Sequence, residues 1–374
     1  MSAFSILILG GYGNVSRYLC DFILQHTDVS IIISGRNPCK AEAFKKELSN
    51  KHSASRIDTR EVDASQTNSL VEAFKGADFI INSASTLEHT SNIIEALLIT
   101  KKNYYDLLTS SPQKLKQLKD AEKTFIKNDQ CIITDGGFHP GIPLAMVKYA
   151  SKEFDVLHQA NVGSLLNIDW KFEKSSQDTI DEFIREMKDY DPTAYADGRW
   201  QKLGYRSAKH FDFGEPFGRK TCVPMKLEEM TYAPFLYPSL QETGFYIAGF
   251  NWFTDFVVMP LLFLGINMFP QKRLNRLTSL FRWSLKKFNR QPYKIILQLE
   301  AKGVKESHPK NYRLMISHND GYALTAISAT AYLFQYLDGT IGEAGLHFQA
   351  NMVNPDRFIE DLNSLGCTID EKQL

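Results

Sequence analysis

The residues in this chain best placed to do chemistry form a glycine turn, Gly10-Gly11-Tyr12-Gly13-Asn14-Val15-Ser16. The turn directly follows the apolar run Phe4–Leu9 and opens a segment carrying Val15, Tyr18, Leu19, Phe22 and Ile23 on one helical side. In a strand–turn–helix order, Gly11 permits the tight turn and Gly13 lets the backbone approach a pyrophosphate with no Cβ in between. The free N–H groups of the helix start then face the phosphates. Gly10, Gly11, Tyr12, Gly13, Asn14 and Val15 are therefore the expected pyrophosphate contacts of a dinucleotide. The third glycine position of this fingerprint holds Ser16, which predicts slightly looser helix–strand packing there.

The next strand selects the nucleotide. Val29–Ser34 is β-branched and bounded by turn residues, as a buried strand should be. Readers of the NAD 2′-hydroxyl place an acid at this strand's end, about 20 residues past the fingerprint. Here the end reads Ser34-Gly35-Arg36-Asn37, with Lys40 one turn into the following helix. No acid stands there to repel a 2′-phosphate, and Arg36 offers a planar fork of donors suited to one. NADP is the expected cofactor.

These residues need a frame to hold them. Helix Pro38–Leu48, strand Arg56–Val62, helix Gln66–Phe74, strand Asp78–Asn82 and helix His89–Thr100 follow in turn. Strand Tyr104–Leu107, helix Pro112–Lys127 and strand Gln130–Thr134 complete the run. Alternation of this kind requires parallel pairing with crossovers, hence a doubly wound α/β sheet whose ligands bind beyond the carboxyl ends of its strands. Asp63 and Ala64 at one such end are expected near the adenine. Ser83, Ala84 and Ser85 at another are expected near the ribose and pyrophosphate. Candidates for handling a proton at the crevice are Asp106, Tyr105, His89 and above all His139, whose imidazole titrates near neutral pH.

Composition permits this reading and excludes others. A chain of 374 residues predicts two domains. Hydrophobic residues make up 43% and charged residues 23%, as in globular proteins, and the zero net charge gives no global case for nucleic acid. The five cysteines, Cys20, Cys39, Cys131, Cys222 and Cys367, are scattered without a CxxC pair. That predicts a reducing, cytoplasmic setting with neither a disulfide framework nor a metal site. An N-terminus that enters a strand at once leaves no room for a signal peptide.

From about Phe138 the strand–helix alternation stops. Lys294–Lys302 alternates, and Arg313–His318 reads as its antiparallel partner, so an α+β second domain is expected. The stretch 256–269 is strongly apolar but short and broken by Pro260 and Gly265, too little for a spanning helix. Eight Lys or Arg residues and no acid lie between Asp255 and Glu300, interleaved with Leu274, Leu277, Leu280, Phe281, Trp283 and Leu285. Two readings of 245–290 remain open: a peripheral membrane contact, or an interface in a homodimer. The aromatics Phe245, Tyr246, Phe250, Trp252, Phe253, Phe256, Phe263 and Phe269 suggest a mainly apolar substrate pocket. The last fifty residues look like a return to the first domain. Tyr322–Leu337 reads as a buried helix and Gly339–Leu346 as a loop, and a helix is capped by Asn354, opened by Pro355 and stopped by Gly366.

Taken together, GGYGNVS, the SGRN and NSAS strand ends, YYDLLTSS after the fifth strand and GGFHPGIPL at 136–144 resemble the saccharopine dehydrogenase-like family. The C-terminal glycines and the Asn354-Pro355 helix also fit. The resemblance implies an NADP-binding Rossmann domain (1–137 and 320–374), completed by C-terminal helices, with an inserted α+β domain (138–319) for substrate and dimerisation. It also implies NADP-linked hydride transfer to or from an unidentified small molecule, which the aromatic density suggests is hydrophobic. Ser110-Ser111, where relatives often carry Gly-Glu, is a departure that bears on the substrate. A non-catalytic NADP(H) sensor or scaffold is the alternative. A short-chain dehydrogenase, from the four-residue spacing of Tyr205 and Lys209, is a third reading.

Overall fold

The computed structural model describes residues 4–169, 190–203, 207–251, 253–268 and 271–373. The first six strands are β1 (Ser5–Leu9), β2 (Ser30–Gly35), β3 (Ile57–Glu61), β4 (Phe79–Asn82), β5 (Asn103–Asp106) and β6 (Cys131–Thr134). Between them run α1 (Asn14–His26), α2 (Pro38–Leu48), α3 (Thr67–Lys75), α4 (Thr90–Thr100) and α5 (Pro112–Lys127), and α6 (Pro143–Ser151) follows. Next come β7 (Val156–Asn167), β8 (Thr193–Ala196), β9 (Arg199–Lys202), β10 (Lys209–Asp212), β11 (Arg219–Met225) and β12 (Glu242–Ala248). Helices α7 (Met259–Met268) and α8 (Gln271–Phe288) precede β13 (Lys294–Lys305) and β14 (His308–His318). The chain ends with α9 (Gly321–Leu337), β15 (Gly345–Phe348), α10 (Pro355–Ser364) and β16 (Thr368–Gln373).

Two compact units result, residues 1–145 with 322–366 and residues 146–321 with 367–374. In the first, seven strands lie in the order β15-β6-β5-β4-β1-β2-β3, and every neighbouring pair is parallel. Ile6–Leu9 and Ile31–Ile33 are buried throughout, because helices cover a parallel sheet on both faces. Helices α2, α5 and α10 begin on the side chains of Asn37, Ser111 and Asn354, each followed by proline. The strand order turns back between β1 and β4, which places the ligand crevice at their carboxyl ends. Leu9 pairs with Asn82 there.

The second unit holds a nine-stranded mixed sheet with the path β10-β11-β12-β7-β13-β14-β16, β8 joining β12 and β9 joining β8. The β12–β7 pairing is parallel, and β13 and β14 form an antiparallel hairpin. Glu306 and Ser307 between them both have positive φ, the geometry of a two-residue primed turn.

Three elements differ from the sequence reading. Gly345–Phe348, read as the end of a loop, is the seventh parallel strand of the first sheet. Its four residues contain no β-branched side chain to announce it. β16 pairs with β14 in the second sheet, so the last residues do not belong with the first domain as the 320–374 assignment had it. β7, twelve residues long and central, carries Gln, Asn, Gly and Ser where a buried strand would show apolar residues.

Candidate NADP-binding site

The glycine turn is held in place from two sides. Gly10 has φ +73, and a Cβ built there would lie 2.9 Å from the Cβ of Ala84, so the loop after β4 packs directly on the turn. Ser16 Oγ and Ser83 Oγ lie 2.6 Å apart, tying the same loop to α1. The Ser16 hydroxyl thus occupies the third fingerprint position with a specific bond. On the other side, Tyr12 Oη accepts from the Asn37 amide at 3.1 Å, linking the turn to the end of β2.

Helix α1 starts at Gly13 with no side-chain cap and no acid in its first turn. A Cβ at Gly13 would meet only the Gly10 carbonyl oxygen, at 3.1 Å, so the approach to the helix start is open. The amides of exposed Asn14 and half-buried Val15 stand at that start. This cradle fits a pyrophosphate. Helix α2 likewise has no acid in its first turn, and Asn37 Oδ1 accepts from the Lys40 amide at 3.0 Å. Arg36, Asn37 and Lys40 are all exposed beside it, which fits a 2′-phosphate.

Other expected contacts have inward roles. Ser34 is buried, its hydroxyl donating to the Ile8 carbonyl at 2.9 Å while its own carbonyl accepts from the Gly11 amide. It therefore sets the spacing of β1 and the turn. The carbonyl of Gly35 accepts from the Val62 amide. The Asp63 carboxylate accepts from the Ser65 amide and hydroxyl and from Gln66, and these bonds, with a smaller contribution from Arg36, hold it below the usual carboxylate range. The Ala64 carbonyl accepts from Asn92. Ser85 is exposed at the end of the β4 loop.

The β5 and β6 ends differ from expectation. Asp106 is buried and accepts from Lys114 Nζ at 2.7 Å, the Leu108 amide at 3.1 Å and the Thr134 hydroxyl. Lys114 Nζ also donates to the Leu108 carbonyl and lies 3.6 Å from Asp135, whose carboxylate accepts from Ser110. A carboxylate bonded in this way orders its loop rather than exchanging protons with a ligand. Burial lowers the pKa of His139 to about 4, so its ring is neutral at physiological pH. His89 is half-buried, 3.7 Å from Glu88.

Two residues escaped the sequence reading. Lys114 sits in the first turn of α5, where a cation opposes the helix dipole, and that misfit was the available signal. Gln349 gave none. Its Oε1 accepts from Tyr105 Oη and from the Gly137 amide at 3.0 Å, and its Nε2 donates to Ser328 Oγ at 2.9 Å and the Gly141 carbonyl at 3.2 Å. It thereby fixes the loop that carries His139. A cleft of about 1200 Å³ opens at the opposite end, beside Thr27–Val29 and Asp338–Glu343. Its guanidinium, Arg357, is already bonded to Asp338.

A doubly wound parallel sheet with an uncapped glycine-turn helix at its switch point defines a dinucleotide-binding Rossmann protein. Residues 6–130 match the family model of the saccharopine dehydrogenase NADP binding domain. Residues 6–130 are thus a domain of the saccharopine dehydrogenase NADP-binding type, and the cofactor is NADP. The fold matches that of apo histidine-tagged saccharopine dehydrogenase (L-Glu forming) from Saccharomyces cerevisiae, with a TM-score of 0.72, 15% identity and 100% of each chain covered. C. glutamicum DAP dehydrogenase in complex with DAP aligns at a TM-score of 0.47 and 10% identity, over 97% of this chain and 99% of that one. No curated protein sequence matches the chain. Of the short-chain dehydrogenase pair, Tyr205 lies outside the described residues, and Lys209 is on strand β10, ion-paired with Glu242, rather than on a helix.

Proposed function

We propose that this protein is an NADP-dependent oxidoreductase passing a hydride between NADP(H) and an organic substrate of low charge. The observation that carries the reading is the gathering of an open helix start at Gly13 and a strand end carrying Arg36 before a helix with no acid in its first turn, joined through Tyr12. When bound, the nicotinamide supplies or takes the hydride. The chain's own residues do the rest. The amides of Asn14 and Val15 hold the pyrophosphate, and Arg36 with the α2 amides holds the 2′-phosphate. The neutral ring of His139 offers one hydrogen-bond donor and one acceptor without carrying charge.

Low substrate charge is supported by four of the second unit's partly buried cations. Lys209, Lys226, Lys310 and Arg313 each lie against a carboxylate, which leaves none of these four to neutralise the acid groups of an amino-acid conjugate. A mainly apolar substrate agrees with this.

The test is NADPH oxidation against a panel of imines, ketones and activated alkenes, alongside NADPH binding by calorimetry. Turnover of an uncharged member is the expected result. A second reading, a non-catalytic NADP(H) sensor, is favoured by the bonding of Asp106 to Lys114 and the low pKa of His139. Tight binding with no turnover across the panel selects it.

A further inference from the structure

Among the described residues of the second unit, the helical segment 254–268 is apolar on two sides. Thr254, Val258 and Leu262, spaced by four, are buried, and the latter two cluster with Phe281 and Leu285 of α8. Val257, Leu261 and Leu264 follow at four and three residues on the other side and are exposed, Leu264 at 59% and the adjoining Phe256 at 70%. A helix apolar all round is one that something covers. The outer row starts next to Phe253, whose ring lies 5.9 Å from that of Trp283. Trp283 is itself half exposed, and one turn further on stand exposed Lys286 and Lys287, with exposed Arg290 after them. From Phe256 to Gln298 the chain carries eight Lys or Arg residues and no Asp or Glu, within a protein of zero net charge. Trp252, Phe269 and Pro270 lie outside the described residues.

We propose that this face docks on the surface of an anionic phospholipid bilayer. Exposed Phe256, Leu261 and Leu264 enter the headgroup–acyl boundary, Trp283 sits at the interface, and Lys286, Lys287 and Arg290 meet lipid phosphates and carboxylates. Charge decides between occupants. A second copy of this chain, docking face to face, would set two acid-free basic segments against each other. An anionic surface complements both the apolar row and the cations. No helix among the described residues is long and apolar enough to cross a membrane, so the contact is peripheral. The proposal is independent of the substrate and of catalysis.

Flotation of the full chain with phosphatidylcholine vesicles, and with phosphatidylcholine–phosphatidylserine vesicles, at low and high salt tests it. Three exposed cations predict a preference for the anionic vesicles of roughly tenfold to hundredfold, falling with salt. Phe256→Glu with Leu264→Glu should abolish flotation while leaving the thermal midpoint and NADPH binding unchanged, since both side chains are exposed. Lys286→Gln with Lys287→Gln should cut the anionic preference while sparing the fold. No flotation of the wild type, equal flotation with both vesicles, or a stable dimer that Phe256→Glu disperses and vesicles do not would each overturn it.

Discussion

The ammonium of Lys114 lies 2.7 Å from the Asp106 carboxylate with both side chains removed from water, exposed by only 2% and 1%. Asp135 stands 3.6 Å from the same ammonium, so this one cation serves two buried acids. Lys114→Met leaves both without it and should lower stability by about 3–5 kcal/mol. Urea unfolding without cofactor measures this, and Asp106→Leu in the same chain should restore part of the loss. A change under about 1 kcal/mol, the range for exposed pairs, would show that the site is wetter than its geometry.

Arg36→Ala should separate the two cofactors. The guanidinium stands at the end of β2 beside an acid-free α2 start. A lost charge-assisted bond to the 2′-phosphate of about 1.5–3 kcal/mol weakens NADPH roughly 10–100-fold. NADH, lacking that phosphate, should bind as before. Calorimetry with both reads the result, and equal weakening would mean that Arg36 supports the loop alone.

The first sheet was legible because its strands announce themselves. SILIL and SIIIS are unbroken apolar runs, and Asn37-Pro38 and Ser111-Pro112 mark two of the helix starts to the residue. The glycine turn proposed to cradle the cofactor was legible for the same reason, since its strand, turn and helix follow one another directly. Strand β7 was not. Gln159, Asn161, Gly163 and Ser164 interrupt its apolar pattern, and the burial that makes it a strand comes from β12 and β13, far away in sequence. Asp106 illustrates the same limit within the site. Its position at a strand end was readable, but its partner is a lysine, a residue type ordinarily left in water, although Lys114 shares the buried face of α5 with Leu118 and Phe125.

His139 should give stability a pH dependence. Its folded pKa is about 4 because burial disfavours the charged ring, against an ordinary 6.5. Below about pH 6.5 the unfolded chain takes up a proton that the folded chain refuses until about pH 4. Stability is therefore fully present above that window and lost as pH falls through it, by a total of order 3 kcal/mol. His139→Gln removes this component. The difference between the two proteins' unfolding free energies at pH 7.5 and about pH 4.5 isolates it, and parallel curves would place the ring in water.

Gln349 is wholly buried and joins Tyr105, Gly137, Gly141 and Ser328. Burial pushes the Tyr105 phenol well above its usual range, so it stays a donor. Gln349→Leu leaves that hydroxyl and the Gly137 amide without their acceptor, at a cost of about 2–4 kcal/mol. Gln349→Glu keeps the acceptor but buries a charge and removes the donor to Ser328 and Gly141, so it should not rescue. Thermal unfolding of both variants checks the order. Full stability in the leucine variant would mean that water replaces the amide.

Two glycines of the turn should fail in different ways. Gly10 has φ +73 and no room beside Ala84, so Gly10→Ala meets both left-handed strain and a backbone clash and should lose at least about 1–3 kcal/mol of stability. Gly13 has φ −71, which any residue adopts, and its added Cβ would touch only the Gly10 carbonyl oxygen. Gly13→Ala should therefore leave unfolding within about 1 kcal/mol of wild type. The same Cβ stands where a pyrophosphate must approach the helix start, so NADPH affinity should fall roughly tenfold or more. Melting temperature and NADPH calorimetry on the two variants make the comparison. A Gly13→Ala protein that melts normally and still binds NADPH at full strength would remove α1 from the cofactor site.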